Sequence, residues 1–152
     1  MLSLLLPFLL LAHEPYAVVQ NTAQQPESLG FASKRVEYQW DRIIPLDFSV
    51  DGLKIKTVFF NRREIAKGVL KGAQFGIRAR VEVENTSNKS RNPGFAVAVF
   101  DEKDNLIGVA SGGTKIGVVR AGKTETFDLD FYQVKERLQR GSYFVISVEL
   151  AD

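Results

Sequence analysis

The segment IRARVEVEN, residues 77–85, alternates apolar and charged side chains without a break. A β-strand places successive side chains on opposite faces, so a period of two predicts a half-buried strand. Its inward face would consist of Ile77, Ala79, Val81 and Val83. We expect the strand to end at Asn85, because the following NTSNKSRNPG stretch is rich in turn-forming residues.

Similar short patterns recur along the chain between turn signals. Asp51-Gly52 predicts a hairpin between two apolar runs. In the second run, LKIKTVFF, we expect Leu53, Ile55, Thr57 and Phe59 to share one face. Apolar runs on both sides of residues 101–105 predict another hairpin, and TETFDLDF (124–131) and SYFVISVEL (142–150) predict two more strands.

About seven short strands separated by turn signals predict an all-β chain. We expect an immunoglobulin-like antiparallel β-sandwich, with a small barrel as the alternative. One short helix is predicted near residues 132–140, because Val134 and Leu138 are four residues apart and Gly141 follows.

The N-terminal residues suggest export. The apolar run Leu2–Ala12 is shorter than the roughly 20 residues that span a bilayer, and it is typical of a secretory signal peptide. We therefore predict a signal peptide over 1–17, a flexible arm over 18–36 and a β-sandwich domain over 37–152. A buried N-terminal strand or helix is the alternative for the leader. The mature chain would be periplasmic or extracellular, without a transmembrane span.

The composition excludes several kinds of chemistry. The chain has no cysteine, and its single histidine is His13, inside the predicted leader. A serine protease triad, a thiol nucleophile and the usual zinc sites all need one of these residues. Carboxylate chemistry, Ser-Lys chemistry and oxygen-ligated metals remain, but Asp128 and Asp130 would share an outer strand face that offers no cleft, and Ser111 with Lys115 has no supporting motif. We therefore predict no enzyme activity, cofactor or metal site.

Residues 117–124, GVVRAGKT, match the phosphate-loop pattern G-x-x-x-x-G-K-[ST]. That loop works only where a helix begins at Lys-Thr, with its N-terminus facing the phosphates. Here Thr124–Phe131 has strand periodicity, so we interpret the match as a β-turn in which Gly122 has a positive φ, and we expect no nucleotide. The acidic loop 101–105 resembles a calcium loop, but Lys103 is in its middle, and a solvated hairpin tip fits better.

Charge is unevenly distributed. Residues 54–91 contain ten basic and three acidic side chains, whereas residues 92–130 contain four basic and six acidic ones. If the strands near 53–60 and 75–84 are neighbours, Lys54, Lys56, Arg78 and Arg80 would share an outward face that attracts an acidic glycan or a lipid head group. The alternative is an ordinary solvated face. Few aromatic residues lie among these cations, so we expect no nucleic-acid binding.

Three consecutive segments, VEVENTSNKS, FAVAVFDEKDNLIGVA and VVRAGKTETFDL, resemble the FxLYD-type immunoglobulin-like domains of exported bacterial proteins. Phe100-Asp101 stands where those domains have Tyr-Asp, and Ala121–Thr124 stands at their Pro/Ala-Gly turn. The resemblance covers roughly residues 79–131. It implies a sandwich fold and export, with no catalytic residues to transfer. The sequons Asn85-Thr86-Ser87 and Asn88-Lys89-Ser90 matter only in a eukaryotic host.

We expect a non-catalytic binding or structural module at the cell envelope, whose partner is a protein or an envelope polymer. The alternatives are polyanion binding through the four basic residues and a hydrolase that uses carboxylates. A further possibility is pairing of an exposed strand edge with a partner chain.

Overall fold

A computed structural model describes residues 30–63, 76–114, 118–132 and 136–151. Within these ranges, two four-stranded antiparallel sheets pack face to face, which confirms the all-β sandwich with eight strands instead of about seven. The strands are β1 (Phe31–Glu37), β2 (Ile43–Val50), β3 (Leu53–Arg62), β4 (Ile77–Asn85), β5 (Asn92–Phe100), β6 (Leu106–Gly113), β7 (Thr124–Phe131) and β8 (Tyr143–Ala151). The first sheet has the order β1-β8-β5-β6, and the second has the order β2-β3-β4-β7.

The strand order is immunoglobulin-like. Strands β3, β4, β5, β6, β7 and β8 correspond, in this order, to strands A, B, C, C′, E and F of that fold. One sheet then contains A, B and E, and the other contains C′, C and F. The place beside F that strand G occupies in immunoglobulins is taken by β1, from the other end of the chain. The predicted short helix is a 3₁₀ helix over Arg137–Arg140, and residues 133–135 lie outside the described residues.

β1 begins within the stretch 18–36 that we predicted to be a flexible arm, so the sandwich begins at Phe31 rather than at residue 37. It pairs with β8 from Phe31–Glu149 to Glu37–Tyr143, yet none of its side chains is fully buried. A polar edge strand of this kind lacks the apolar alternation that reveals a strand in a sequence. The predicted leader 1–17 and residues 18–29 of the arm lie outside the described residues.

The core lies between the inner faces of the two sheets. All four inward residues predicted for β4 are buried, which confirms that prediction. Phe60 occupies the middle of the core, with ring centroids 5.0 Å from Phe144, 6.3 Å from Phe131 and 4.7 Å from Tyr38. Burying a side chain of this size contributes about 2–3 kcal/mol.

The predicted face of β3 is wrong beyond Ile55. Pairing with β4 passes from Ile55–Val83 to Thr57–Glu82, so Lys56 is an additional residue, as in a β-bulge. Because the side-chain period is two, one extra residue exchanges the faces. As a result Val58 and Phe60 are buried, while Thr57 and Phe59 are only partly buried.

The predicted turn at Asp51-Gly52 is confirmed. Asp51 has φ 42° and Gly52 has φ 79°, the two positive values that a type I′ hairpin turn requires. This turn fixes the pairing of β2 with β3, which starts at Val50–Leu53.

One polar side chain lies fully inside the described core. Asn85 is 0% exposed, at the end of β4. Its Nδ2 donates hydrogen bonds to the carbonyl oxygens of Lys89 (2.7 Å) and Val119 (2.8 Å). Its Oδ1 accepts hydrogen bonds from the backbone N–H (3.0 Å) and the hydroxyl (2.7 Å) of Ser87. Asn85 therefore connects the β4–β5 loop to the segment that precedes β7.

Candidate functional site

The four basic residues predicted to form a polyanion face lie on the outer side of β3 and β4. Lys54 and Lys56 each lie beside a carboxylate. The Nζ atom of Lys56 is 2.8 Å from Glu82, and that of Lys54 is 3.6 Å from Asp47. The hydrogen bond from Lys56 to Glu82, with the charge of Glu82, raises the pKa of this lysine.

Arg78 and Arg80 converge on Asp128 of the neighbouring strand β7. Arg78 Nη1 donates to Asp128 Oδ2 at 2.7 Å, and Arg80 Nε donates to Asp128 Oδ1 at 3.0 Å. Arg78 Nε also donates to Asn61 Oδ1 at 3.1 Å. Burial acts to raise the pKa of Asp128, but the hydrogen bonds and charges of Arg80 and Arg78 outweigh it, and the pKa is lowered. Each of the four residues of the predicted basic face therefore contacts a carboxylate.

A cavity of about 760 Å³ lies at the end of the sandwich where β3 ends and β4 begins. We call it the Trp40 cavity; its lining residues are Trp40, Asp41, Asn61, Arg62, Arg63, Arg78 and Gln139. Of the four predicted basic residues, only Arg78 contributes to it.

Backbone contacts hold the cavity wall against the core. Trp40 forms an isolated parallel bridge with Phe60, and the N–H of Asp41 donates to the carbonyl oxygen of Phe60 at 3.0 Å. Asp41 has φ 55°, a left-handed conformation that Asp tolerates better than most residues. Because Phe60 lies in the centre of the core, the indole of Trp40 is placed by a rigid part of the fold.

Three guanidinium groups of the cavity contact carboxylates at its margin. Arg62 lies 3.4 Å from Glu136, and Arg63 lies 3.5 Å from Asp128 and 3.9 Å from Asp130. Only the Arg78 contact with Asp128 is short, and the Arg78 side chain is 13% exposed. A guanidinium has five N–H donors, so a single carboxylate contact, such as that of Arg62 with Glu136, does not exhaust its capacity to bind an anion.

Sequence reasoning missed most of this cavity. Asn61-Arg62-Arg63 follow the apolar part of β3, and Trp40 lies in a loop between strands of different sheets. Two adjacent arginines at the end of an apolar strand were the available signal, since the end of a strand opens onto the end of a sandwich.

A second cavity, of about 460 Å³, lies along the outer face of the first sheet beside β6. Its lining includes Ala96, Ala98, Val109, Val145 and the hydroxyl residues Ser111 and Ser147, with Asp130 and Tyr132 from the end of β7. In contrast to the paired charges outside β3 and β4, this surface is almost uncharged.

The remaining predicted motifs behave as local structure. Thr124–Phe131 is β7, so no helix begins at the phosphate-loop match. The N–H of Lys123 donates to the carbonyl oxygen of Arg120 at 3.1 Å, and Gly122 has φ 69°, which confirms the predicted β-turn. Gly117 lies outside the described residues.

The acidic loop is a hairpin tip between β5 and β6, as predicted. Asp101 Oδ1 accepts hydrogen bonds from the backbone N–H groups of Lys103 and Asn105, both at 2.9 Å. The hydrogen bonds from Asn105 lower the pKa of Asp101. Of the Ser111–Lys115 pair, Lys115 lies outside the described residues. Within the described ranges, no three acidic, histidine or cysteine side chains are grouped in a way that would hold a metal ion.

No protein-family model matches this chain, and no curated protein matches it significantly in sequence. Among the described residues, no helix is both long and apolar enough to cross a membrane.

Proposed function

We propose that the chain is an exported, non-catalytic binding module of the cell envelope, and that the Trp40 cavity binds an acidic glycan. The observation that carries this proposal is the composition of the cavity wall. It combines three guanidinium groups, two side-chain amides and one indole in a space of about 760 Å³.

Each of these groups suits one part of an acidic sugar. A guanidinium binds a carboxylate or sulfate through two parallel N–H donors. Asn61, Gln139 and Asp41 have the donors and acceptors that sugar hydroxyls need. The indole face of Trp40 offers an apolar platform for the C–H groups of a sugar ring.

The carboxylates at the margin limit affinity and create specificity. Asp128, Asp130 and Glu136 already contact the arginines, so an anionic ligand must compete with them. A single acidic sugar should therefore bind weakly, and a polymer should bind more tightly through repeated units. Arg78 and Asp128 are held by a 2.7 Å contact, which keeps one guanidinium in position before the ligand arrives.

The alternative of a hydrolase that uses carboxylates has less support. A glycosidase needs one carboxylic acid with a raised pKa and a second carboxylate across a cleft. Burial acts to raise the pKa of Asp128, but its arginine contacts lower it, so that carboxyl is a poor proton donor near neutral pH. Binding through Lys54, Lys56 and Arg80 also has less support, because each contacts a carboxylate on an open sheet face.

The proposed location rests on the leader-like run Leu2–Ala12 and on the resemblance to FxLYD-type domains of exported bacterial proteins. A periplasmic or extracellular domain without cysteine depends on its core for stability.

Trp40 is the only tryptophan, so its fluorescence reports directly on the cavity. We expect an oligouronate to change the emission saturably, and the neutral oligosaccharide of equal length to have no effect. Arg62→Gln should weaken binding about tenfold, and raising the salt concentration should weaken it further. Lys54→Gln, on the outer sheet face, is the matched control and should bind like the wild type. Equal responses to acidic and neutral sugars, or none to either, would contradict the proposal.

A further inference from the structure

The two sheets have four free edges, and three of them carry features that discourage pairing with another chain. Natural proteins protect edge strands with proline, bulges, charges and inward-pointing charged side chains. On β2, Pro45 lacks an N–H donor, and the pairing with β3 shifts between Pro45 and Phe48. Asp47 lies inside this irregular stretch and has φ 43°.

β1 and β7 are protected by charge. On β1, Lys34 is half-buried, donates to the carbonyl oxygen of Leu46 and lies 5.9 Å from the ring centroid of Phe48. On β7, Glu125, Asp128 and Asp130 are carboxylates within one eight-residue strand. A second copy of β7 placed antiparallel to it would bring like charges together, which is destabilising.

β6 differs from these edges in having no charged residue, although its pairing with β5 also shifts, between Val99 and Phe100. Its sequence, LIGVASGG, has no charged residue, no proline and two strongly exposed apolar side chains. Leu106 is 57% exposed and Val109 is 61% exposed. Among the described residues, β5 is its only hydrogen-bonded neighbour strand, and β7 of the other sheet packs beside β6 without pairing with it. The 460 Å³ cavity beside β6 leaves room at this edge.

We propose that β6 pairs with β6 of a second copy of this chain, antiparallel about a two-fold axis. Such pairing joins the first sheets of two copies into one eight-stranded sheet. The charge pattern favours this occupant, because an uncharged strand can face itself without repulsion, whereas β1, β2 and β7 all contain charged residues. The interface is isologous, as in most soluble homodimers.

This proposal is independent of glycan binding, since the Trp40 cavity and the β6 edge have no lining residue in common. A pairing centred near Val109 would place that residue beside its own copy. Opposite residues in antiparallel strands have Cα atoms about 4.5–5.5 Å apart, a distance that a disulfide bridges.

The absence of cysteine allows a direct test, because Val109→Cys introduces a single thiol. Under mild oxidation we expect this variant to form a covalent dimer at least about tenfold faster than Ser49→Cys. Ser49 is an exposed residue on the edge strand β2 and serves as the matched control. Equal cross-linking rates for the two variants would overturn the proposal.

The untreated protein provides the second measurement. Sedimentation equilibrium of the wild type should show a concentration-dependent dimer, and Val109→Lys should raise its dissociation constant at least about tenfold. Circular dichroism of Val109→Lys checks that the sandwich is intact. A wild type that stays monomeric at concentrations of several hundred micromolar would overturn the proposal. The same monomeric result is expected if β6 pairs instead with an extended segment of a different protein.

Discussion

Replacing Asn85 should destabilise the fold far more than a polar residue at the end of a strand usually does. Alanine removes both hydrogen bonds donated by Nδ2 and both accepted by Oδ1. Part of this loss is recovered, because the carbonyl oxygen of Val119 keeps the N–H of Arg91 at 2.9 Å and Lys89 is exposed to water. The half-buried donors of Ser87 lose this acceptor, and a small cavity remains. At about 1 kcal/mol per net hydrogen bond, with the cavity added, we expect a loss of about 3 kcal/mol.

Asn85→Asp separates hydrogen bonding from volume, because the side chains have nearly the same shape. An ionised aspartate would place an oxygen against two carbonyl oxygens that now lie 2.7 and 2.8 Å from Nδ2. Burial and these carbonyls would raise the pKa of the introduced acid in the folded state. A raised folded pKa makes the destabilisation largest at neutral pH, and lowering the pH through that pKa relieves it. The gap to the wild type should therefore narrow as the pH falls.

Equilibrium urea unfolding, followed by Trp40 fluorescence and circular dichroism, measures both effects. Asn85→Ala should lower the melting temperature by roughly 10 °C without changing the urea m-value. Asn88→Ala, at the exposed asparagine of the second sequon, should change the free energy of unfolding by less than about 0.5 kcal/mol. If the two alanine variants are equally stable, or if Asn85→Asp loses stability as the pH falls, the account of this buried amide is wrong.

Two further results are expected from the same unfolding assay. Gly113→Ala should lower the free energy of unfolding by at least about 2 kcal/mol, because its Cβ would lie 2.3 Å from the carbonyl oxygen of Pro93. Gly122→Ala should lower it by about 1 kcal/mol, because only its φ of 69° opposes a side chain. Equal losses in the two variants would contradict this expectation. Asp128→Asn should lower the free energy of unfolding by about 1 kcal/mol at pH 7. Because the arginines hold the pKa of Asp128 below its ordinary value, the difference from the wild type should disappear as the pH falls through the lowered pKa. A difference that persists in acid would refute this expectation.

The strands that the sequence predicted well are those in which local pattern and tertiary contacts agree. In β4, every second residue is apolar, so the alternation alone identifies the buried face. In β3, the run Val58-Phe59-Phe60 is apolar at every position, and nothing in it indicates which residues face inward. The bulge at Lys56 decides this, and it depends on the pairing with β4. Similarly, β1 is held by pairing with β8 rather than by its own apolar pattern.

The candidate site could be predicted only in part, because its residues come from distant parts of the chain. The alternation in β4 placed Arg78 and Arg80 correctly on an outer face. Their partner Asp128 is about fifty residues away in sequence, and only the pairing of β4 with β7 brings it near. The Trp40 cavity depends on two loops and a strand end, and neither loop has a periodic pattern.

The uneven charge of the chain has its explanation in this pairing. The basic stretch 54–91 contributes β4, and the more acidic stretch 92–130 contributes most of β7. In the folded protein these two strands are neighbours, and Arg80 is directly opposite Asp128 in the register. Charges that are separated along the sequence thus cancel across the sheet. Arg62, at the end of β3, has its carboxylate partner Glu136 outside β7, and it lies where the Trp40 cavity opens.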